Sequence, residues 1–349
     1  MVNITLNGEK MEVSEDKSIL HIAREHGIEI PTLCYNEQLS LFAGCRMCVV
    51  EVTGRKNLAA ACSTKALEGM VVQTHSEKAV KARKDLLDLL VSNHPEGIEE
   101  SNKIGNNNFQ KYAVEYGITK GSYEGPSRNY VIDDANPAYI KDANKCILCG
   151  QCVSTCDQIQ VTHTIDFLGK GFDTKVATAF DLPISKDNCR LCGQCVSACP
   201  TGSLIHKPLK DIPPAKVTKV RTTCPFCGTG CNFDLNVVDG KVVGATPIEE
   251  ATVNSTSLCV KGRYHTDMIY SKDRLTTPLI KKDGVFVEAT YDECFDLIAK
   301  KLQETIDNYS PDHIAGLASA RCTNEDNYVF QKLFRAGFGT NNIDHCART

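Results

Sequence analysis

Hydrophobic and polar residues alternate at the start of the chain, which is typical of half-buried β-strands. Residues 2–6 are apolar at every second position, Asn7-Gly8 is a hairpin turn signal, and residues 9–13 resume the alternation. The first 75 residues therefore predict a small mixed α/β domain. One helix and two further strands are predicted within it, at residues 18–26, 48–52 and 71–72.

Two longer helices follow from helical spacing of apolar residues. Ser76 is a suitable N-cap for a helix that continues to about Asn93, and residues 291–309 form a second amphipathic pattern. The run IAGLAS at 314–319 predicts a buried strand of an α/β layer. The predicted apolar side of the first helix consists of Val80, Leu86, Leu87, Leu89 and Leu90.

Between these helices the chain contains an internal repeat. KCILCGQCVSTC, which begins at residue 145, is echoed by NCRLCGQCVSAC forty-three residues later. The polar region before the repeat, residues 95–140, predicts a loop with one short helix near Phe109–Tyr116. After the repeat, a proline-containing linker leads to a small β-rich unit at 217–270.

Composition excludes several classes of protein. The chain has 349 residues, 42% of them hydrophobic and 23% charged, with a formal net charge of −4. This charge gives no electrostatic reason to expect a nucleic acid or an anionic membrane as partner. The amino terminus lacks a signal-peptide pattern, and no stretch approaches 18 uninterrupted apolar residues. We therefore expect a cytoplasmic protein without a membrane span.

The most informative residues are nineteen cysteines, sixteen of which form four groups with the spacing of metal ligands. Closely spaced C-x2-C thiols favour metal or redox chemistry in a reducing compartment over a secreted disulfide framework. The first group is Cys34, Cys45, Cys48 and Cys62, near Gly44. Four thiolates suit a [2Fe–2S] cluster, with zinc as the alternative.

The second and third groups both match C-x2-C-x2-C-x3-C, a specific signal for paired [4Fe–4S] clusters. In this pattern the fourth cysteine of each run binds the other cluster. The pattern thus predicts a crossed arrangement of two ligand sets, Cys146, Cys149, Cys152 and Cys199 for one cluster, and Cys189, Cys192, Cys195 and Cys156 for the other.

The fourth group lies in CPFCGTGC and CVKGR and consists of Cys224, Cys227, Cys231 and Cys259. Its spacing alone fits either zinc or a [4Fe–4S] cluster. CPFCGTGC…CVKGRY followed by DRLTTPLI resembles the amino-terminal [4Fe–4S] domain of bis-pterin molybdenum or tungsten oxidoreductases. The resemblance implies a [4Fe–4S] cluster, and it implies that Lys261 lies between that cluster and the pterin.

Resemblance extends over nearly the whole chain in order. Residues 1–75, with PTLCY and GCRMCVVEV, resemble the [2Fe–2S] domain of the complex I 75-kDa subunit and of iron hydrogenases. SARCTNEDNYVFQKLFRAGFGTNNIDHCAR resembles formate dehydrogenase catalytic subunits. In those relatives the segment that contains Arg321 and Asn324 approaches the pterin.

These resemblances imply an α+β multidomain fold. They imply a β-grasp [2Fe–2S] domain at 1–78, a helix and linker at 79–137 and a two-[4Fe–4S] ferredoxin domain at 138–208. A molybdopterin oxidoreductase [4Fe–4S] domain would occupy 217–273, and the beginning of the pterin-binding catalytic domain 274–349.

The implied function is that of a formate dehydrogenase. One [2Fe–2S] and three [4Fe–4S] clusters would relay electrons between a molybdenum or tungsten bis-molybdopterin guanine dinucleotide site and a partner subunit. The expected order is pterin, the Cys224 cluster, the two ferredoxin clusters and then the Cys34 cluster. A flavin/NAD(P) subunit or an iron hydrogenase is the expected partner.

One cluster of the longer relatives is expected to be absent. They bind it through one histidine and three cysteines in a segment resembling NHPLDCPTCEKNGNCELQ, which aligns without a gap to NHPEGIEESNKIGNNNFQ. His94 remains, but Ile98, Ser101 and Asn107 stand where the cysteines belong. One imidazole cannot hold a cluster, so we expect His94 to be a structural remnant.

The carboxyl end also departs from the family. In formate dehydrogenases a selenocysteine or cysteine that binds the metal directly follows CAR-x, and here that sequence is Cys346-Ala-Arg-Thr349. We expect the catalytic residue directly after Thr349, at a UGA codon; a split gene or a truncated polypeptide is the alternative. Cys294 and Cys322 are expected to be core or near-core thiols, and Cys346 lies too early to be the ligand.

Two other functions remain open. A chain with only the start of a pterin domain could be a non-catalytic electron conduit. A complex I 75-kDa-like subunit shares the front half, although CPFCGTGC and CTNEDNY favour the formate enzyme.

Overall fold

The computed structural model describes residues 1–95, 98 and 103–347. Its chain divides into two compact units, Met1–Thr218 and Lys219–Thr349. Each unit is described by itself.

The first unit begins with a five-stranded mixed sheet in the order β2-β1-β5-β3-β4. Strand β1 pairs antiparallel with β2 and parallel with β5, and the alternating side chains of Val2, Ile4 and Leu6 are buried in its core. This is the β-grasp arrangement that the family resemblance implies. The strands are β1 (Val2–Leu6), β2 (Glu9–Val13), β3 (Val49–Val52), β4 (Ala59–Ala60) and β5 (Met70–Gln73).

Helix α1 (Ile19–Glu25) packs on this sheet. The Ser18 hydroxyl accepts a hydrogen bond from the His21 backbone N–H at 3.3 Å, which caps the first turn. Ile19, Leu20 and Ile22 are fully buried in the same core as the strands. The predicted helix over 18–26 is confirmed.

Helix α2 (Glu77–Ser92) is also confirmed, with Ser76 as its N-cap. Its buried residues are Ala79, Arg83, Leu87 and Val91, which are spaced four apart and form one stripe. Of the predicted apolar side, Leu87 is buried and Leu86 and Leu90 pack partly buried against the same core, whereas Leu89 is 51% exposed. The buried Arg83 guanidinium donates to the carbonyl oxygens of Val49 (2.8 Å) and Thr74 (2.7 Å), which joins the helix to the sheet.

The two cysteine runs have the same backbone geometry. Leu148 and Leu191 each have φ of 56°, and Gly150 and Gly193 lie at 76° and 71°. Each glycine precedes a short helix, so the sequence repeat is a structural repeat. The elements of this region are α3 (Asn108–Glu115), α4 (Gln151–Ser154), α5 (Gln194–Ala198), the pair β6 (Tyr139–Lys141) with β9 (Leu204–His206), and the hairpin β7 (Asp166–Leu168) with β8 (Lys175–Ala177).

The second unit starts with a three-stranded sheet, as the β-rich pattern predicts. The strands β10 (Thr218–Thr223), β11 (Asn232–Val238) and β12 (Lys241–Pro247) lie in sequence order, followed by helix α6 (Val260–Tyr264). Phe233, Ala245 and Leu258 are buried together with Cys224 in a small core.

The rest of the second unit is an α/β segment. Helices α7 (Tyr291–Asn308) and α8 (Asn324–Lys332) both begin with a capping box, formed by Thr290 with Glu293 and by Thr323 with Asp326. The predicted strand at 314–319 is present as β15 (Gly316–Ala318), but it is not buried as predicted, because Leu317 is 89% exposed. It pairs in parallel with β16 (Ile343–His345), and β13 (Leu279–Lys282) forms a hairpin with β14 (Val285–Glu288).

Among the residues that the structure describes, no helix is both long enough and apolar enough to cross a membrane.

Candidate metal centres

The first cysteine quartet surrounds one loop of the β-grasp domain. Cys34, Cys48 and Cys62 are buried and Cys45 is partly buried. The backbone N–H of Cys45 points at Cys34 Sγ (3.5 Å), and that of Met47 points at Cys45 Sγ (3.5 Å). Such N–H donors stabilise negative charge on sulfur. Cys34, Cys45 and Cys48 lie outside helices and strands on either side of Gly44, as expected for three of the four cysteines.

The thiols of this quartet also interact with one another in pairs. A hydrogen bond from the Cys45 thiol lowers the pKa of Cys34 to about 6 and raises that of Cys45. A second bond, from the Cys62 thiol, lowers the pKa of Cys48 to about 7 and raises that of Cys62. Four thiols this close carry repulsive charge when ionised, which a bound iron centre would neutralise.

One cavity of the dicluster region is lined by cysteines from both cysteine runs. Cys146, Cys149 and Cys152 of the first run line it together with Cys199, the last cysteine of the second run. Cys156, the last cysteine of the first run, does not line this cavity. The four lining cysteines, Cys146, Cys149, Cys152 and Cys199, are the set that the crossed pattern predicts for one cluster.

The complementary set is brought together around Cys195. Burial raises the pKa of the Cys195 thiol, and the neighbouring Cys192, Cys189 and Cys156 raise it further. The three neighbours are the partners that the crossed pattern assigns to Cys195. Cys156 is therefore close enough to the second run to interact electrostatically with Cys195, as Cys199 is with Cys149 of the first run.

Hydrogen-bond donors surround the sulfurs of both runs in equivalent positions. The backbone N–H of Leu148 lies 3.4 Å from Cys146 Sγ, and that of Leu191 lies 3.4 Å from Cys189 Sγ. The hydroxyl of the buried Tyr139 is 3.5 Å from Cys189 Sγ. An all-thiol donor set with N–H and O–H groups directed at sulfur fits an iron–sulfur cluster.

Cys156 has its own supporting loop. The Thr162 hydroxyl lies 3.1 Å from Cys156 Sγ, and the Thr164 backbone N–H lies 3.4 Å from it. Val161 and His163 adopt positive φ of 50°, which turns the loop back towards the sulfur. Asp157, which stands where proline follows such runs, leaves this arrangement possible.

In the second unit, the fourth quartet lies between β10, β11 and α6. The Cys224 N–H donates to the Cys231 carbonyl oxygen at 2.8 Å, and Cys227 Sγ lies 3.3 Å from the Thr229 hydroxyl. Burial raises the pKa of Cys224, and Cys259 and Cys227 add to the rise, so these thiols are electrostatic neighbours. A Cβ on Gly262 would lie 3.5 Å from Cys224 Sγ, so the glycine keeps the space beside this sulfur open.

Lys261 and Arg321 are both exposed. Lys261 lies two residues after Cys259 of the fourth quartet, and Arg321 lies in the segment SARCTNEDNY. Hydrogen bonds from Thr229 lower the pKa of Cys227, and the Lys261 charge contributes to the lowering. The Gly228 N–H donates to the Ala320 carbonyl oxygen at 3.4 Å. The segment that contains Arg321 and Asn324 thus contacts the loop that bears Cys227 and Cys231.

The first quartet and the dicluster cavity are neighbours within the first unit. The buried Gln151 side chain donates from Nε2 to the Leu33 carbonyl oxygen at 2.7 Å. The charge of Cys34 is among the causes that raise the pKa of Cys149, after burial and Cys199. Sequence reasoning missed Gln151, although the repeated CGQC contains a glutamine at the same place in both runs.

The segment expected to have lost a cluster is filled by side chains where it is described. The imidazole of His94 lies 5.8 Å from the Phe109 ring, and Ile98 is buried in the same core as Phe109. Asn107 is exposed at the start of α3. Ser101 lies outside the described residues.

Sequence reasoning also missed the role of Lys103, which is 3% exposed. Its ammonium donates to the carbonyl oxygens of Val196 (3.1 Å) and Cys199. Burial opposes ionisation of Cys199, but Lys103 and hydrogen bonds from Thr201 outweigh it and lower the pKa of that thiol. The signal in the sequence was the preserved register of residues 93–110.

The three remaining cysteines lie outside the four quartets. Cys294 and Cys322 are partly buried, which fits near-core rather than core positions. Cys346 is exposed, and Thr349 lies outside the described residues. Within the described part of the chain, no three His, Cys, Asp or Glu side chains converge as ligands of a single metal ion.

Four families match successive parts of the chain. Residues 1–77 match the 2Fe-2S iron-sulfur cluster binding domain, and residues 145–203 match the 4Fe-4S dicluster domain. Residues 217–271 match the molybdopterin oxidoreductase Fe4S4 domain, and residues 274–349 match molybdopterin oxidoreductase. The predicted α+β multidomain fold class is confirmed.

Curated relatives are similar along the whole chain. One subunit of an NADH-quinone oxidoreductase of Rhizobium meliloti is 34% identical over 100% of the chain and 40% of its own length. The alpha subunit of an NADPH-Fe(3+) oxidoreductase of Geobacter sulfurreducens is 36% identical, with the same coverage. "Putative formate dehydrogenase YrhE" of Bacillus subtilis is 32% identical over 99% of the chain and 40% of its length. The chain thus spans about two fifths of these relatives.

A solved structure resembles part of the chain. The crystal structure of NAD+-reducing [NiFe]-hydrogenase in the H2-reduced state has a chain with a TM-score of 0.53 and 26% identity. The match covers 61% of this chain and 95% of that one.

Proposed function

We propose that this chain, an iron–sulfur protein that joins a 2Fe-2S domain, a 4Fe-4S dicluster domain and the first parts of a molybdopterin oxidoreductase, is the electron-transfer portion of a formate dehydrogenase. In the full enzyme each formate would yield one carbon dioxide, one proton and two electrons. The reaction is reversible, so the same portion would also serve a carbon dioxide reductase.

The observation that carries the proposal is the contact between Gly228 and Ala320. It joins the loop of the fourth quartet to the segment SARCTNEDNY, which resembles formate dehydrogenases. A cluster next to a pterin-binding segment suits the transfer of electrons out of a metal site. The relative named "Putative formate dehydrogenase YrhE", similar over 99% of the chain, supports the same interpretation.

The chain's own residues would hold and tune the clusters. The sixteen cysteines of the four quartets would bind one [2Fe–2S] and three [4Fe–4S] clusters, which supply one-electron steps when bound. N–H and O–H groups at the sulfurs would stabilise the added negative charge, and burial would keep water away. With Ile98 in an apolar core, the histidine-containing site would remain without a cluster.

Two exposed cations near the fourth quartet would serve the pterin. Lys261 would lie between the Cys224 cluster and a bis-molybdopterin guanine dinucleotide, and Arg321 would contact that cofactor. Both positions suit the anionic groups of a pyranopterin dinucleotide. The metal could be molybdenum or tungsten.

The far end of the relay would be the [2Fe–2S] domain, which would pass electrons to a cytoplasmic partner. The bond from Gln151 to Leu33 and the neighbourhood of Cys34 and Cys149 support a site order that ends at Cys34. A flavin/NAD(P) subunit or an iron hydrogenase would be the partner. The similar proteins named for NADPH and NAD+ chemistry support this class of partner.

A non-catalytic conduit is the second candidate. The relative that is a subunit of an NADH-quinone oxidoreductase favours it, because 34% identity extends over the whole chain. In this case the polypeptide would carry electrons within an NADH dehydrogenase or hydrogenase assembly and would not bind formate.

Formate-dependent viologen reduction separates the candidates. The polypeptide that contains this chain is purified anaerobically with its partners, and its molybdenum and tungsten are measured by mass spectrometry. The formate enzyme predicts viologen reduction with one of the two metals bound. Full iron content with neither metal and no response to formate would contradict the proposal and favour the conduit.

Two variants of the intact protein sharpen the test. Arg321→Ala should lower formate turnover at least tenfold with iron content unchanged, if Arg321 contacts the pterin. Arg335→Ala, which removes an exposed arginine elsewhere in the same unit, is the matched control and should keep turnover. Equal turnover in both variants would argue against the role of Arg321.

A further inference from the structure

Lys103 is a buried cation beside the dicluster cysteines and is not one of the sixteen predicted cluster ligands. Its side chain is 3% exposed, and it donates to the carbonyl oxygens of Val196 and Cys199 at the carboxyl end of α5. An ammonium group loses much hydration free energy on burial and persists only where negative or polar groups compensate for it. Two carbonyl oxygens supply part of that compensation.

The cysteine sulfurs near Lys103 supply a further part. Burial lowers the pKa of Lys103, and the charges of Cys199, Cys149, Cys195 and Cys152 act against that lowering. Three of them belong to the set that lines the dicluster cavity, and Cys195 belongs to the other set. Lys103 therefore lies within electrostatic reach of both cluster sites, and it faces more ligands of the first.

The neighbouring residues hold Lys103 in place. Asn106 donates from Nδ2 to the Ala198 carbonyl oxygen at 3.1 Å, and the Phe109 N–H donates to the Pro200 carbonyl oxygen at 3.1 Å. The carbonyls of residues 198, 199 and 200 thus all accept bonds from the segment 103–109. Lys103 itself makes two of its bonds to this turn and its chain neighbours add two more, so its ammonium is a preorganised charge and not a mobile counterion.

We propose that Lys103 is a positioning residue that raises the reduction potentials of the two dicluster [4Fe–4S] centres by holding a positive charge between their ligand sets. Reduction adds one electron to a cluster without making or breaking a bond, so the reduced cluster is one charge more negative. A fixed cation stabilises the reduced form more than the oxidised form, and weak screening at a buried site strengthens the effect. The centre bound by Cys146, Cys149, Cys152 and Cys199 is affected most.

This inference depends on the cluster assignment of the proposed function and not on formate as the substrate. Its test is a redox titration of the full polypeptide, followed by electron paramagnetic resonance, with iron content measured on the same samples. Wild-type protein without iron would refute the cluster assignment. Unchanged potentials in an iron-replete Lys103 variant would refute only the present inference.

The decisive variants are Lys103→Gln, which retains a hydrogen-bond donor without the charge, and Lys103→Met, which removes both. In each, the equilibrium constant for reduction of the more affected centre should fall at least tenfold, about 59 mV for a one-electron couple. The second dicluster centre should shift in the same direction by less. Lys103→Arg keeps the charge and should keep the wild-type potentials.

Two controls separate the charge from other effects. Asn106→Ala removes one bond to the same carbonyl run without changing charge, and Lys111→Met removes an exposed charge that pairs with Glu29 at 3.0 Å. Both should leave the potentials close to wild type. If Lys103→Gln shifts them no further than Asn106→Ala does, the role of the charge is refuted.

Cluster assembly gives a second readout if a variant is unstable. Loss of iron in Lys103→Gln and Lys103→Met but not in Lys103→Arg would support the proposal. The two variants that lose iron share the loss of the positive charge, which Lys103→Arg retains. Loss of iron in all three would contradict it, since the side chain would then matter for packing.

Discussion

Gln151 donates a buried hydrogen bond of 2.7 Å to the carbonyl oxygen of Leu33, and each residue is the direct neighbour of a predicted cluster ligand, Cys152 and Cys34. The bond therefore joins the loop of the first quartet to the helix of the dicluster cavity. A fixed bond between two ligand-bearing segments keeps the distance between their sites constant. Electron transfer between the sites would depend on this distance.

Replacing Gln151 should weaken the junction of the two segments. Gln151→Leu leaves the Leu33 carbonyl oxygen buried without its donor, which costs about 1–3 kcal/mol. We expect the visible absorption of the clusters to disappear at a lower temperature in a thermal melt. Gln158→Ala is the matched control, because it removes an exposed bond of 2.7 Å to Ser40 between the same segments. A melting temperature of Gln151→Leu as high as that of Gln158→Ala would contradict this role of Gln151.

Crossed ligation predicts which cysteine serves which cluster. Cys199→Ser should alter or remove the centre held by the first cysteine run, because Cys199 lines its cavity. Cys156→Ser should alter the other centre. Electron paramagnetic resonance of the reduced variants should therefore show different lost signals. If Cys199→Ser instead altered the centre of the second run and Cys156→Ser that of the first run, the crossed arrangement would be refuted.

The Tyr139 hydroxyl should raise the potential of the cluster bound by Cys189. Tyr139→Phe removes an O–H group 3.5 Å from Cys189 Sγ, and one hydrogen bond contributes about 0.5–1.5 kcal/mol. For one electron this corresponds to a potential about 20–60 mV more negative. Redox titration measures this shift in reduction potential. Tyr123→Phe, which changes an exposed tyrosine, is the control and should not shift the potential. A shift to more positive values would contradict the prediction.

His94 should not be needed for iron binding. His94→Ala is expected to leave the iron content per chain unchanged, because Ile98 and Asn107 cannot replace thiolate ligands. The loss of its contact with Phe109 should cost about 0.5–1.5 kcal/mol of stability. Iron assay and thermal melting test the two effects separately. A loss of about four iron atoms per chain would instead indicate a cluster at His94.

The sequence predicted those parts of the site that depend on local spacing. The crossed sets follow from C-x2-C-x2-C-x3-C, and the structure gathers Cys199 with the first run as that pattern requires. The β-grasp strands and the capped helix α2 were equally visible, because alternation and Ser76 are local signals.

Contacts between distant segments were not predictable in this way. Lys103 reaches carbonyl oxygens more than ninety residues away, and no periodicity encodes that contact. On α2, Leu89 is exposed against the prediction, and the buried stripe contains the charged Arg83, which the spacing of apolar residues does not reveal. The hairpin of β7 and β8 was missed because strands of three residues are too short to show alternation.

Iron and acid-labile sulfide analysis of anaerobically purified protein tests the central claim most directly, together with electron paramagnetic resonance after reduction. One [2Fe–2S] and three [4Fe–4S] clusters predict about 14 iron atoms per chain, matching sulfide, and signals of both cluster types. Colourless protein that contains zinc in place of iron and gives no signal on reduction would contradict the account.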